Sequence, residues 1–169
     1  AAAGFPLRVP RGFVARMRYG DPADPLLRQV LPVDAENTVL PDLGTDPVGD
    51  LASVLTPGLL QKYAGRALLI TTGACAVHCR YCFRRGFPYA GHSTTPGALA
   101  AALDAIAADH TLREIILSGG DPLALGNGRL AEIIHALEGI PHIARIRLHT
   151  RLPVVLPERI DDELLGLLR

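Results

Sequence analysis

The most informative part of the chain is residues 67–82, ALLITTGACAVHCRYC. Its first six residues form a continuous apolar and β-branched run, which is typical of a strand buried on both faces of a parallel sheet. Three cysteines follow directly, Cys75, Cys79 and Cys82, in a C-x3-C-x2-C pattern. Functional groups gather at the carboxyl ends of strands in parallel sheets and β/α barrels, so this loop is a candidate site.

Two similar strand patterns follow, at residues 114–118 and 145–150. A helical pattern precedes each of them; the first begins at the N-cap candidate Thr95, and the second ends at Gly139. A third helix is predicted to begin at Asp161. Strands that alternate with helices in this way build parallel βαβ units, so we predict an α/β fold, the first three units of a partial β/α barrel.

Residues 1–66 contain eight prolines and no sustained period. We therefore predict an irregular N-terminal extension with only short helices, as at residues 11–19 and 25–30, followed by the barrel units in residues 67–169. Three β/α units cannot close a barrel, which indicates a chain truncated at its C-terminal side. The alternative is a small open domain that is complete at residue 169.

Composition narrows the class of protein. Among 169 residues, 17 basic and 17 acidic side chains give a formal net charge of zero, which provides no overall field to attract nucleic acid or an anionic membrane. No apolar run approaches the roughly 18 residues of a membrane span, so we predict a soluble protein. Three closely spaced cysteines favour a metal or redox site in a reducing compartment, which predicts a cytoplasmic location.

The cysteine spacing suits two kinds of metal site. Three thiolates can hold three corners of a [4Fe–4S] cluster and leave the fourth iron open to a substrate or cofactor. Zinc is the alternative, bound by the same cysteines together with His78 or a distant histidine. The chain has no second C-x2-C or H-x3-H pair, which a structural zinc site normally brings, and this favours the cluster. A non-catalytic binding module stabilised by its metal stays open as an alternative.

The loop resembles a known enzyme family. Cys75-x3-Cys79-x-Tyr81-Cys82 after a first strand is similar to the signature of the radical S-adenosylmethionine enzymes, whose partial β/α barrels hold a cluster in that loop. Four segments resemble the lysine 2,3-aminomutase branch: LLITTGAC (68–75), CRYCFRR (79–85), LSGGDPL (117–123) and HTRLPVVLP (149–157). Residues 83–89 and 24–32 look most like the members that make (R)-β-lysine for attachment to elongation factor P, and the resemblance covers residues 5–168.

The resemblance implies an isomerase that converts (S)-α-lysine to (R)-β-lysine. It implies three cofactors: a [4Fe–4S] cluster, S-adenosylmethionine and pyridoxal 5′-phosphate. It also implies lysine as a small-molecule substrate and an external electron donor, and it is compatible with a homo-oligomer. A radical aminomutase that acts on another amino acid, such as glutamate, stays open as an alternative.

Roles for two strand ends follow from the same resemblance. In Ser118, Gly119, Gly120 and Asp121, the glycines allow close backbone approach to a ligand and the carboxylate can take an ammonium group. The resemblance implies that this segment receives the methionine amino group of S-adenosylmethionine. Arg151, after the next strand, is expected to reach a carboxylate or phosphate of a cofactor.

The remaining predicted site residues are three cations and one tyrosine: Arg84, Lys62, Arg66 and Tyr63. Arg84 matches the arginine that holds the carboxylate of the lysine substrate, a task that a guanidinium fork suits. Lys62, Tyr63 and Arg66 match the segment that binds the pyridoxal phosphate group, although Lys62 replaces an arginine of the better-known aminomutases. Since Lys62 is the only lysine, the lysine that forms the Schiff base is expected outside this chain, and the chain alone is expected to be inactive.

Overall fold

A computed structural model describes residues 4–38, 41, 44–92 and 95–169. Its strands are β1 (Val54–Thr56), β2 (Leu59–Tyr63), β3 (Arg66–Thr72), β4 (Glu114–Gly119) and β5 (Arg145–Leu148). Its α-helices are α1 (Arg11–Val14), α2 (Tyr89–His92), α3 (Pro96–Ala108), α4 (Asn127–Glu138), α5 (Leu152–Val155) and α6 (Asp162–Leu167). Short 3-10 turns lie at Leu27–Gln29, Asp34–Asn37, Leu51–Ser53, Pro122–Ala124 and Pro157–Arg159.

The strands form one five-stranded sheet in the order β1-β2-β3-β4-β5. The pairs β1–β2 and β2–β3 are antiparallel, whereas β3–β4 and β4–β5 are parallel. In the parallel part Leu68 lies opposite Ile116, and Ile116 lies opposite Arg147. The predicted α/β fold, a partial β/α barrel, is confirmed.

The expectation that residues 1–66 contain only short helices is wrong at β1 and β2, which add an antiparallel hairpin to the sheet. Gly58 makes the turn between them with φ +84°, a conformation that glycine adopts without strain. Leu59 and Leu60 are buried against β3 because the hairpin continues the core. The helices predicted at residues 11–19 and 25–30 shorten to α1 and one 3-10 turn, and the strand predicted at residues 145–150 ends two residues earlier.

The main core lies between the sheet and the helices that cross one of its faces. Its fully buried members include Leu69, Ile115 and Leu117 from the sheet, with Ala102 and Ile106 from α3 and Leu130, Ile133 and Leu137 from α4. Thr95 caps α3 as predicted, since its Oγ1 accepts a hydrogen bond from the Ala98 amide at 3.2 Å. Such a cap stabilises a helix by about 1 kcal/mol. Among the described helices, none combines the length and apolarity needed to cross a bilayer.

A second, smaller core joins the N-terminal extension to the cysteine loop. It consists of Phe13, Val30, Val77 and Val155, all at most 5% exposed. Phe13 and Val30 belong to the extension, Val77 lies between the first two cysteines, and Val155 ends α5. The extension is therefore part of the support of the cysteine loop, because removing it would expose the apolar side of that loop.

Candidate active site

One large cavity, about 1220 Å³ in volume, lies on the sheet face opposite the main core. Side chains alternate between the two faces of a strand, so Leu68, Ile116 and Arg147 line the cavity while Leu69 and Leu117 face the helices. All twelve site residues predicted from the sequence line this cavity: Lys62, Tyr63, Arg66, Cys75, Cys79, Cys82, Arg84, Ser118, Gly119, Gly120, Asp121 and Arg151. The fold thus brings together four separate segments of the chain.

The three cysteines carry free thiols that are partly buried at the cavity wall. A turn closes the end of their loop, where the Cys82 amide donates to the Cys79 carbonyl oxygen at 3.0 Å. Burial raises the pKa of the Cys75 thiol to about 12 and also raises the pKa of Cys82. Metal ligation therefore has to displace protons from both thiols.

The positions of the potential metal ligands differ in how well they suit a single metal ion and a [4Fe–4S] cluster. In the part of the chain that the structure describes, no three Cys, His, Asp or Glu side chains lie close enough to hold a single metal ion. A [4Fe–4S] cluster is bound by thiolates on separate iron atoms, so its ligands need not converge on one point. His78, the alternative zinc ligand, instead stacks on Phe5 with ring centroids 4.5 Å apart, and its Nδ1 lies 2.8 Å from the Pro6 carbonyl oxygen.

Arg80, between the second and third cysteines, ties the loop to the N-terminal extension. Its Nε donates to Glu36 Oε1 at 2.9 Å, its Nη1 donates to the Phe5 carbonyl oxygen at 2.8 Å, and its Nη2 binds Glu36 Oε2. Arg85 Nη1 donates to the same Oε2 at 3.0 Å. The Arg80 guanidinium lowers the pKa of Glu36 to about 2. Glu36 was not recognised from the sequence, because its arginine partners lie more than forty residues away.

Two glycines at the end of β4 pack against the backbone of the cysteine loop. The Gly120 amide donates to the Thr72 carbonyl oxygen at 2.6 Å, and a Cβ on Gly120 would lie 2.2 Å from the Ala74 carbonyl oxygen. Gly119 has φ +116° and meets Thr72 in the same way. The two glycines therefore allow the end of β4 to approach the neighbouring chain segment closely, which fixes the start of the cysteine loop. Their predicted approach to a ligand stays a prediction.

Asp121, predicted to take an ammonium group, joins the ends of β4 and β5. Its Oδ1 accepts hydrogen bonds from the Leu123 amide at 3.0 Å and from Thr150 Oγ1 at 2.6 Å. Its Oδ2 accepts from the Arg151 amide at 2.7 Å. A carboxylate offers about four acceptor positions, so three of them are used within the chain. Contact with S-adenosylmethionine stays a prediction for this residue.

Arg84 lies at the cavity wall and is 9% exposed. Its Nε donates to Asp50 Oδ2 at 2.6 Å, and its Nη1 donates to Ser118 Oγ at 3.2 Å. Lys62 approaches the same carboxylate from the other side, with Nζ 2.5 Å from Asp50 Oδ1, and also donates to the Val48 carbonyl oxygen at 2.6 Å. Asp50, which was not recognised from the sequence, thus connects two of the predicted site residues.

Tyr63 and Arg66 flank the turn between β2 and β3, where they pair across the hairpin. The Tyr63 side chain is 67% exposed, and the Arg66 guanidinium lies over its ring at 6.0 Å. Arg66 Nε is 3.7 Å from the Glu114 carboxylate, which Arg145 and Arg147 also contact. The hydrogen bond from Arg145 is the main cause of the lowered pKa of Glu114. Tyr63 and Arg66 line the same cavity as Arg84. Lys62 lines it too, but its ammonium group is paired with Asp50.

Arg151 lies just after β5, as predicted, and contacts the cysteine loop directly. Its Nη1 donates to the Cys79 sulfur at 2.8 Å, and its Nη2 donates to Gln29 Oε1 at 2.7 Å. Its guanidinium also lies 5.4 Å from the centre of the Tyr81 ring. Gln29 was not recognised from the sequence, because its partner Arg151 lies 122 residues away.

Comparison with known proteins identifies the class. Residues 69–167 match the model of the radical SAM superfamily, and the chain belongs to that superfamily. Membership implies a [4Fe–4S] cluster and S-adenosylmethionine as cofactors. The donor set fits such a cluster, since three free thiols line one cavity that also contains the end of β4.

Within this class the chain is similar to proteins named L-lysine 2,3-aminomutase. It is 51% identical to the one from Escherichia coli K12 over 160 residues, which cover 95% of this chain and 46% of the relative. The Haemophilus influenzae protein is 46% identical over 97% of this chain and 48% of its own length. The Clostridium subterminale protein is 38% identical over 88% of this chain and 36% of its own length. The chain thus spans less than half of each of these curated relatives.

Proposed function

We propose that the protein containing this chain is an L-lysine 2,3-aminomutase that converts (S)-α-lysine to (R)-β-lysine for attachment to elongation factor P. The observation that carries the proposal is the single cavity lined by all twelve predicted site residues. The names of the relatives support the reaction. The reaction moves the amino nitrogen from Cα to Cβ and a hydrogen atom from Cβ to Cα, with no net oxidation. It is therefore an isomerisation, in which the protein has to hold the substrate in position.

In this proposal Cys75, Cys79 and Cys82 bind three irons of the cluster, and the fourth iron is left for S-adenosylmethionine. The segment from Ser118 to Asp121, which packs against the start of the cysteine loop, receives the methionine portion. An external electron donor supplies the electron that starts the reaction. The chain itself supplies the shape of the site, because the β4 glycines hold the start of the cysteine loop by backbone contact.

Arg84 binds the carboxylate of the substrate in this proposal. Asp50 and Ser118 hold Nε and Nη1, which fixes the plane of the guanidinium before the substrate arrives. A fixed fork loses little freedom when it binds a carboxylate, so more of the interaction energy stabilises the complex. The buried position strengthens the charge-assisted hydrogen bond.

Pyridoxal phosphate completes the proposed cofactor set, with Lys62, Tyr63 and Arg66 at its phosphate. Two cations and an exposed phenol on one cavity wall match the charge and hydrogen-bonding needs of a phosphate group. When bound, this cofactor supplies an electron sink for the amino group that migrates. We further propose that the lysine that anchors it lies in sequence outside this chain, since Lys62 is paired with Asp50.

The cellular setting forms part of the same proposal. Three free thiols at a cavity wall are suited to a reducing compartment, which supports a cytoplasmic location. A homo-oligomer is compatible with the fold. Both statements are open to direct measurement by fractionation and by light scattering of the purified protein.

The test is an anaerobic assay of the intact protein that contains this chain, with all three cofactors, a reductant, and lysine, glutamate or ornithine offered in parallel. Chiral chromatography should show (R)-β-lysine as the main product. Arg84→Lys keeps the charge but loses the fork, so turnover should fall by about 100-fold, about 2.7 kcal/mol. Arg129→Lys, on the exposed face of α4, is the matched control and should act like the parent. Preferred turnover of glutamate would contradict the proposed substrate.

A further inference from the structure

The geometry points to Arg151 as the residue that tunes the reduction potential of the cluster, through a hydrogen bond to the Cys79 sulfur, and to Gln29 as the residue that positions it. This inference rests on the proposal that Cys79 is a cluster ligand. The proposed reaction assigns no role to the segment around Gln29, and this inference supplies one.

Arg151 reaches the sulfur from the end of the third parallel strand. Its backbone is fixed because its amide donates to Asp121 Oδ2 at 2.7 Å. From there Nη1 extends to Cys79 Sγ at 2.8 Å, and the guanidinium covers the Tyr81 ring. The contact therefore joins the end of β5 to Cys79, one of the three candidate cluster ligands.

Gln29 sets the direction of this guanidinium. Its Oε1 accepts from Arg151 Nη2 at 2.7 Å and from the Tyr81 hydroxyl at 3.3 Å. Its Nε2 donates to the Pro25 carbonyl oxygen at 3.0 Å, which turns the amide oxygen toward Arg151. Its own carbonyl oxygen accepts from the Arg80 amide at 2.8 Å, so Gln29 is attached to the cysteine loop as well.

The turn that presents Gln29 is itself rigid. Asp24, which is 3% exposed, accepts hydrogen bonds from the Leu26 and Leu27 amides at 2.8 Å each. These contacts hold the backbone at the start of the 3-10 turn Leu27–Gln29, and the hydrogen bond from the Leu27 amide is the main cause of the lowered pKa of Asp24. Arg151 is therefore held at two points, by Gln29 on the turn and by its own backbone at the end of β5. These contacts orient the guanidinium so that one of its nitrogens, Nη1, donates to the Cys79 sulfur.

The direction of the expected effect follows from charge. Reduction places an additional electron on the cluster and its sulfur ligands, so a positively charged donor at one sulfur stabilises the reduced state more than the oxidised state. Hydrogen bonds to cluster sulfurs are among the terms that set such potentials. Loss of the Arg151 contact should therefore lower the potential and make the cluster harder to reduce.

The test is a redox titration of the reconstituted intact protein, followed by electron paramagnetic resonance, with iron and sulfide measured on every sample. Arg151→Met should reduce the equilibrium constant for one-electron reduction about tenfold, which is 59 mV. Gln29→Leu keeps Arg151 but removes its orienting oxygen, so we expect a fall of about threefold. Arg28→Met removes an exposed positive charge next to Gln29 and should leave the potential unchanged.

The outcomes are separable. A parent protein without iron and sulfide would contradict the cluster proposal, whereas a loaded parent with unchanged potentials in Arg151→Met and Gln29→Leu would overturn only this inference. An equal shift in Arg28→Met would overturn it as well, because a general charge effect would then suffice. If the Arg151→Met protein does not hold a cluster, the potential of the Gln29→Leu protein is the deciding measurement. If Gln29→Leu also fails to hold a cluster, the two residues support the structure of the loop, and the tuning role is overturned.

Discussion

Asp50 Oδ2 lies 2.6 Å from Arg84 Nε, and the side chains of both residues are at least nine-tenths buried. Asp50 belongs to the loop before β1, whereas Arg84 follows the last cysteine. The pair thus joins the hairpin edge of the sheet to the cysteine loop at the wall of the cavity. It also fixes the guanidinium that we propose for the substrate carboxylate.

Replacing Asp50 should be costly, because it would leave the buried Arg84 charge without its closest partner. We expect Asp50→Ala to lower the free energy of unfolding by about 3–5 kcal/mol, measured by urea denaturation. Glu132→Ala removes the exposed partner of Arg129 and should change it by less than about 1 kcal/mol. A near-neutral Asp50→Ala would show that the pair does not hold this part of the fold.

The Glu36 carboxylate should make stability depend on pH at the acidic end. Its pKa is lowered from 4.5 to about 2 by the Arg80 guanidinium, so the ionised form stabilises the fold above about pH 4.5. That contribution is lost as pH falls from 4.5 through 2. The difference in unfolding free energy between the parent and Glu36→Gln, measured in urea from pH 6 to pH 2, should therefore shrink toward low pH. A difference that is constant across this range would contradict the assignment.

Gly120 should not tolerate a side chain. Its added Cβ would lie 2.2 Å from the Ala74 carbonyl oxygen, and the three nearest atoms are all backbone, which leaves little room to adjust. Gly120→Ala should lower the unfolding free energy by about 2 kcal/mol or more and reduce iron incorporation, because it displaces the cysteine loop. Gly128→Ala in α4 meets nothing within 4 Å and should be neutral or stabilising by about 0.5–1 kcal/mol. Normal iron content in Gly120→Ala would contradict the close packing.

Lys62 should not form a Schiff base with pyridoxal phosphate. Schiff-base formation needs a free neutral amine, whereas Lys62 Nζ is held by Asp50 and by the Val48 carbonyl oxygen. After incubation of this chain with the cofactor and borohydride, peptide mass spectrometry should find no pyridoxyl group on Lys62. A stoichiometric adduct at this residue would assign it the anchoring role instead.

The parallel part of the sheet and its helices could be predicted because their signals are local. The apolar runs at β3 and β4 and the cap at Thr95 are each complete within a few residues of sequence. The cysteine spacing is equally local, which is why the cavity could be located before its geometry was known. The hairpin was missed because β1 has only three residues and gains its stability from pairing with its neighbour.

The supporting residues of the site carried no such signal. Asp50, Glu36 and Gln29 lie in the Pro-rich N-terminal part of the sequence, and their arginine partners lie 34, 44 and 122 residues away. Only the folded chain shows which acidic or amide side chain meets which arginine. The sequence also gave no sign that Gly120 packs against the backbone of residues 73 and 74, while its contact with a ligand stays a prediction.

The most direct test of the central claim is anaerobic reconstitution of the protein, followed by iron, sulfide and zinc analysis and by electron paramagnetic resonance of the reduced form. We expect about four irons and four sulfides per chain. We also expect that Cys75→Ala, Cys79→Ala and Cys82→Ala each lose the cluster, and that S-adenosylmethionine changes the resonance of the parent. Stoichiometric zinc without acid-labile sulfide, or a resonance that S-adenosylmethionine leaves unchanged, would contradict the claim.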